Sequence, residues 1–431
     1  MRSLMTRLPL LLLATLLCAG PAQAELTIEI TKGAAGALPI AIVPFGAAGE
    51  APREDLAAII AADLQRSGRF NPMPATDMLE RPAEAAQINF QNWRVLGMDN
   101  LVIGKLRGDS GSGFDVDFQL LDVFQGKGMM GYTIHAGPTE MRRVAHHIAD
   151  LIYEKLTGEK GAFNTRIAYI TATRGATPSY ALMIADSDGY NPQTVLRSKQ
   201  PIMSPSWSSD GSHLAYVSFE KRRSEVFVQD VLSGAREVVA SYPGINGAPS
   251  WSPDGRYLAL TLSRGGNPDV YSMSLSTKLM TRLTDNPAID TEPTWAPDGN
   301  SVYFTSDRGG KPQIYRVSAS GGSASRVTFD GDYNARPELS PDGKKLAMVH
   351  RGNKGFSIAV LDMQTRQLKV LSSGGQDESP SFAPNGSMIL FAGSKGYRGV
   401  LSAVSVDGSV QQSLVATEGD VREPSWSPLL Q

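Results

Sequence analysis

A single cysteine, Cys18, occurs in 431 residues. A disulfide framework and a thiolate metal centre are therefore excluded. Neither sign of charge dominates. With 41 Lys and Arg against 43 Asp and Glu, a net charge of −2 and no basic block, the chain lacks the electrostatic footprint of a nucleic-acid binder. No apolar run approaches the ~20 residues of a membrane-spanning helix. The longest, residues 8–17, follows Arg2 and Arg7 and precedes Ala22-Gln23-Ala24. That order reads as a secretory signal, with cleavage expected between Ala24 and Glu25. Leu17 stands before Cys18 where a lipid-modified cysteine wants a small residue, so a soluble, exported chain is expected.

What is present in abundance is repetition. Pro205-Ser206-Trp207-Ser208-Ser209-Asp210-Gly211 returns with small changes from Pro249, Pro293, Pro337 and Pro380, at intervals of 44, 44, 44 and 43 residues. Trp207, Trp251, Trp295 and Trp426 hold the same place in it. Each copy runs from a Pro-led strand into an Asp-Gly or Asn-Gly pair, which supplies the positive φ values of a tight hairpin. Apolar strands follow, giving four short strands per ~44 residues, the signature of a propeller blade. The chain stops just after a sixth Pro-Ser-Trp-Ser-Pro, from Pro424, while Arg166-Ile167-Ala168-Tyr169-Ile170 reads as a second strand with no first strand ahead of it. The two fragments complete one blade, which closes the ring and removes an open sheet edge.

Residues 25–165 lack this repeat. Residues 39–45 and 101–104 and the span 114–124 read as strands, while 53–67 and 139–156 carry apolar residues at helical spacing. The expected class is an α/β N-terminal domain plus an all-β six-bladed β-propeller closed by the C-terminal strand. The expected division is a signal peptide at 1–24, a mobile strand or tail at 25–37, a small α/β domain at 38–162 and the propeller at 163–431. The tail segment Glu25-Leu26-Thr27-Ile28-Glu29-Ile30 alternates polar and apolar residues ahead of a glycine-containing stretch. It suits either strand addition to a partner or an ordinary edge strand of the small domain's sheet.

Catalytic patterns fail on order and spacing. All five histidines follow Ser110, so the Gly-Asp-Ser-Gly sequence around it cannot serve a His-Asp-Ser triad of chymotrypsin order, and a hairpin loop explains it. His146 and His147 are adjacent on a helix and share no face, which leaves one to pack and one to meet solvent. Asp-Gly pairs without Asp-x-Asp-x-Asp spacing are turns rather than calcium loops. No cofactor, metal or catalytic site is expected. An enzyme of the propeller channel would have to use Asp290, Asp377 and Glu378. A glycan-binding module would need aromatics on loops that carry almost none.

Signal, α/β domain and Pro-x-Trp-Ser-Pro-Asp-Gly propeller together resemble the TolB family of the Gram-negative Tol-Pal system, across essentially the whole exported chain. Ile40-Ala41-Ile42-Val43-Pro44-Phe45, Thr165-Arg166-Ile167-Ala168-Tyr169 and Trp426-Ser427-Pro428 look like that family's marker segments. The resemblance implies a periplasmic, non-enzymatic protein supporting outer-membrane invagination at division and envelope integrity. Its propeller face would bind the lipoprotein Pal, and hence the outer membrane peripherally. The loops implied are those carrying Ile245, Asn246, Ala248, Asp290, Thr291, Asn334, Arg336, Asp377 and Glu378. Relatives can carry a histidine where Ile245 stands. Residues 25 to about 32, with Glu25, Leu26, Thr27, Ile28, Glu29 and Ile30, would bind TolA. Bacteriocins are a further partner class that the resemblance brings in.

Overall fold

The structure, a computed structural model, describes residues 26–32, 36–49, 52–109, 111–173, 178–353, 355–416 and 419–430. The expected cleavage site at Ala24 and Glu25 lies outside them. The elements before the propeller are β1 (Leu26–Lys32), β2 (Leu38–Ile42), β3 (Gly46–Gly49), α1 (Leu56–Arg66), β4 (Phe70–Pro72), α2 (Phe90–Val95), β5 (Asn100–Asp109), β6 (Gly113–Asp122), β7 (Lys127–Ala136) and α3 (Met141–Thr157).

The small domain is a mixed sheet in the order β4-β2-β5-β6-β7, with β3 continuing along β5 beyond β2. Asp55 caps α1 by accepting from the Ala58 N–H at 3.1 Å, and α3 ends at Gly158 with φ 77°. Ile60 and Leu64 of α1 and Val144, Ile148 and Ile152 of α3 are buried against Ile40, Ile42, Val102 and Val116 of the sheet. A second core on the opposite face gathers Ala41, Val43, Leu101 and Ile103 around the buried Trp93 of α2. The short α2 and the edge strand β7 carry too weak a period to be read from sequence.

Six antiparallel sheets form the propeller, five of four strands and one, blade 6, of five. In blade 1 the innermost strand is the C-terminal Asp420–Trp426, paired with Arg166–Thr173, and so the ring closes as the fragments require. The innermost strands of blades 2 to 6 are Ile202–Trp207, Asn246–Trp251, Asp290–Trp295, Asn334–Leu339 and Glu378–Phe382. In three of the copies, from Ser208, Ser252 and Ser340, a Ser-x-Asp-Gly holds the hairpin. Ser208 Oγ donates to Asp210 Oδ1 at 2.6 Å, Asp210 accepts the Ser212 N–H at 3.0 Å, and Gly211 takes φ 70°. The repeated tryptophan clasps the preceding blade. The Nε1 groups of Trp207, Trp251 and Trp295 donate to the carbonyls of Ser425, Ser206 and Ser250 at 3.1, 3.1 and 3.2 Å.

Strand β1 is an edge strand, but of a different sheet from the one expected. It does not extend the small domain's sheet. It pairs antiparallel with Gln411–Ala416, the outer strand of blade 6, in a register running from Leu26 opposite Ala416 to Ile30 opposite Gln412, and makes that blade five-stranded. Blade 6 offers a six-residue outer strand here, whereas the nearer edge of the small domain is the three-residue β4.

Candidate partner-binding surface

The innermost strands of blades 2 to 6 start at one mouth of the channel and run toward their Asp-Gly or Asn-Gly turns. The small domain meets the turn side, where Asn385 Nδ2 donates to the Lys160 carbonyl at 2.8 Å. The strand-start mouth is therefore the face remote from the small domain.

At that mouth the sequence-derived residues divide into two groups. Asn246, Asp290, Asn334 and Asp377 have at most 3 % exposure, and their side chains brace the loops and strand ends around the mouth. Asn246 Oδ1 accepts the Tyr242 N–H at 2.8 Å and its Nδ2 donates to the Tyr242 carbonyl at 2.7 Å. Asp290 pairs with Arg308 Nη2 at 2.7 Å. Asn334 Nδ2 donates to Gln313 Oε1 at 2.9 Å, and Asp377 accepts from Ser372 Oγ at 2.5 Å and from the Gly374 N–H at 3.0 Å. Burial pushes the Asp377 carboxyl above its usual range, against those two hydrogen bonds. Carboxylates engaged in this way do not converge on the channel, which takes from an enzymatic reading two of the three groups it needs.

The second group faces outward. Ile245 and Glu378 are exposed and Thr291 is half-buried at the channel rim, while Ala248 and Arg336, also half-buried, lie just below it. Apolar side chains that sequence reasoning missed stand beside them. Ile289 and Phe329 are 51 and 66 % exposed on the same inter-blade connections, and Tyr397 is 98 % exposed on a hairpin of blade 6 at this mouth. The repeat itself held a signal, because Ile245, Ile289 and Tyr333 recur at one repeat position. Tyr333 stacks edge-on against Phe356 with centroids 5.1 Å apart. Aromatics are thus less scarce on these loops than expected.

Below the rim, one residue per blade precedes the repeated proline in left-handed conformation: Ser204, Ala248, Glu292, Arg336, Ser379 and Glu423, with φ between 45 and 56°. Each marks a bulge at which the pairing with the second strand slips, since proline has no N–H to give. Non-glycine residues held there cost on the order of 1 kcal/mol each. The bulges turn these side chains into a cavity of about 140 Å³. Arg336 crosses it, with Nε 3.3 Å from Glu292 Oε1 and Nη2 3.4 Å from Glu423 Oε2, while Ser204 N–H donates to Glu423 at 2.7 Å. One layer deeper, burial pushes the Glu338 carboxyl up to about 7, against a hydrogen bond from Thr294.

Two family models match the chain, the TolB amino-terminal domain over residues 26–129 and the TolB beta propeller domain over residues 153–430. Tol-Pal system protein TolB of Nitrosococcus oceani is 64 % identical over 422 residues, 97 % of each chain. The protein of the same name from Thioalkalivibrio sulfidiphilus is 64 % identical over 425 residues, 98 % of each. The crystal structure of TolB from Acinetobacter baumannii is 43 % identical and superposes with a TM-score of 0.87, covering 94 % of this chain and 100 % of that one. Among the described residues no helix is long and apolar enough to cross a membrane.

Proposed function

The chain belongs to the TolB family of Tol-Pal system proteins, and on that premise we propose that it is a periplasmic adaptor with two partners, one for its propeller face and one for its N-terminal segment, and that it catalyses nothing. Pal docks on the mouth remote from the small domain, and TolA takes the N-terminal segment 25–32. Through Pal the protein associates with the outer membrane, and in this way supports invagination at division and envelope integrity. Bacteriocins are a third class of ligand for the same surface.

The observation that carries this reading is the division of labour at the mouth. Buried Asn246, Asp290, Asn334 and Asp377 fix the loops, which presents Ile245, Ile289, Phe329 and Glu378 on a rigid rim. A preorganised rim loses little ordering entropy on association, and its apolar anchors supply the affinity. TolA would engage β1 by backbone pairing, the same mode in which β1 now lies on blade 6. Pal binding and tail release, if coupled, must influence each other equally.

Calorimetric titration of residues 25–431 with the periplasmic domain of Pal from the same organism tests the proposal. Tight one-to-one binding is expected, weakened at least tenfold by Phe329→Ser or Ile245→Asp. Deleting residues 25–32 should abolish TolA binding and leave Pal binding in place. Absence of any heat with Pal overturns the mouth assignment.

A further inference from the structure

The contact between the two domains carries a cluster of charges beside its apolar part, where Ala162 packs into the propeller core. Asp63 and Arg66 come from α1, Arg142 and His146 from α3, and Asp186, Ser187 and Asp188 from a hairpin of blade 1. His146 Nδ1 lies 2.6 Å from Asp63 Oδ2, and its Nε2 faces Asp188 Oδ2 at 3.8 Å with no hydrogen-bond partner. Arg66 Nη2 spans Asp63 at 3.0 Å and Ser187 Oγ at 2.9 Å. Arg142 pairs with Asp188, lies 3.8 Å from Asp186 and stacks on Tyr190, 3.8 Å from the ring centroid. Asp63 and His146 are 1 and 3 % exposed.

Two clefts of about 980 and 730 Å³ border this contact, so the domains meet over a narrow area. Three ligand-type side chains come within 4.8 Å of one another here. The two guanidiniums on the same carboxylates make the place hostile to a metal cation.

The geometry leaves His146 one satisfactory state. A neutral ring with its proton on Nδ1 turns the Nε2 lone pair toward Asp188, and the other tautomer sets a lone pair against Asp63. Only the imidazolium presents an N–H to both carboxylates. We infer that His146 is a protonation latch between the small domain and the propeller, clamping them while charged and loosening the contact when it loses its proton.

The surrounding charges agree with this assignment. Burial by itself would lower the His146 pKa, and the Arg66 charge acts in the same direction. The Asp63 carboxylate, seconded by Asp188, outweighs both and holds the pKa above the ordinary 6.5. A raised histidine contributes fully below 6.5, and its contribution disappears as pH rises through its value in the folded protein. Asp150, on α3 beside the latch, accepts the Phe163 and Asn164 N–H groups of the linker and is pushed up to about 6 by burial. It is ionised throughout the alkaline half of the range; Asp186, across the contact and near Arg142, is likewise raised by burial.

The latch also reaches the tail. The Arg66 carbonyl accepts from Gln412 Nε2, and Gln412 lies opposite Ile30 in the register of β1 on blade 6. Loosening at His146 therefore acts on the strand that carries the tail.

A chain beginning at residue 25 has no cysteine, so spin labels can be placed at Q125C on the small domain and L232C on blade 2, both exposed. Pulsed dipolar spectroscopy across pH 6 to 9 should show one narrow distance at pH 6 and about a tenfold larger population of other distances at pH 9. The midpoint should coincide with the ring titration of His146 followed by carbon-13 NMR. His146→Gln should remove the pH response. Asp188→Asn, on a surface hairpin and so the safer variant to fold, should move both midpoints down together. An unchanged wild-type distance, a midpoint that departs from the ring titration, or a response that survives His146→Gln would each overturn the inference.

Discussion

The propeller turns and the interdomain contact both depend on ionised side chains, yet they answer protons in opposite directions. In the turns, Asp210 is held down to about 2 by the Ser208 hydroxyl and the Ser212 N–H, and Asp254 likewise to about 2, first by Ser252. At the contact, His146 is held up by Asp63 and Asp150 is raised to about 6 by burial. Repetition explains the difference. A turn used several times sits at the surface, where each copy is cheap and replaceable. A contact made once, between two cores, gathers its charges out of water and couples them.

The contrast is broken most severely at the seam of the ring. Removing residues 420–431 takes away the buried Val421, the inner strand of blade 1 and the Trp426 Nε1 bond to Thr165. The expected loss exceeds ~5 kcal/mol, on the scale of a whole domain's stability, and scanning calorimetry should show no cooperative propeller transition. Next comes Asp63→Ala, which strands the His146 and Arg66 charges in a buried site. Breaking such a pair costs about 3–5 kcal/mol, measurable by urea denaturation at pH 7. Asp254→Ala removes a turn carboxylate that solvent screens, so its cost stays under about 1 kcal/mol in the same assay.

The pH dependence sharpens the comparison. Turn aspartates with lowered pKa contribute above 3.8 and lose that contribution as pH falls toward 2, so acid melts the blades. Loss of the His146 contribution belongs to the alkaline side. Thermal unfolding followed separately by Trp93 in the small domain and by the blade tryptophans should therefore show two pH profiles of opposite slope. The smallest effect belongs to the rim. Phe329→Ser should change stability by no more than ~0.5 kcal/mol, since the side chain is largely in solvent, while weakening Pal.

These regions also differ in how openly the sequence displays them. Asp-Gly turns and tryptophans spaced by 44 residues announce the blades, and a sixth copy cut short at its hairpin announces the closure. The interface does not advertise itself, because Asp63, His146 and Asp188 lie far apart in the chain and each looks ordinary in its own helix or turn. His146 and His147 could be separated into packed and solvated partners, and the structure places them so, but the carboxylates awaiting His146 belong to other elements. At the mouth, Asn246, Asp290, Asn334 and Asp377 were legible as a recurring position. That they point inward depends on hydrogen bonds to loops and strands far from them in the repeat, as with Asp290 and Arg308, while Phe329 follows a strand end whose length varies between blades.

The fifth strand of blade 6 carries one more consequence. The outer strands of blades 3, 4 and 5 have three, two and three residues, too short to template another chain. Gln411–Ala416 has six, as has Gln193–Ser198 of blade 1, but among the described residues only on the former does another strand, β1, lie. Whenever the tail lifts away, an uncovered backbone edge is left that two such molecules can share. Departure of the tail thus carries a risk of self-association that grows with concentration, and it favours direct handover, in which another extended segment arrives as β1 leaves.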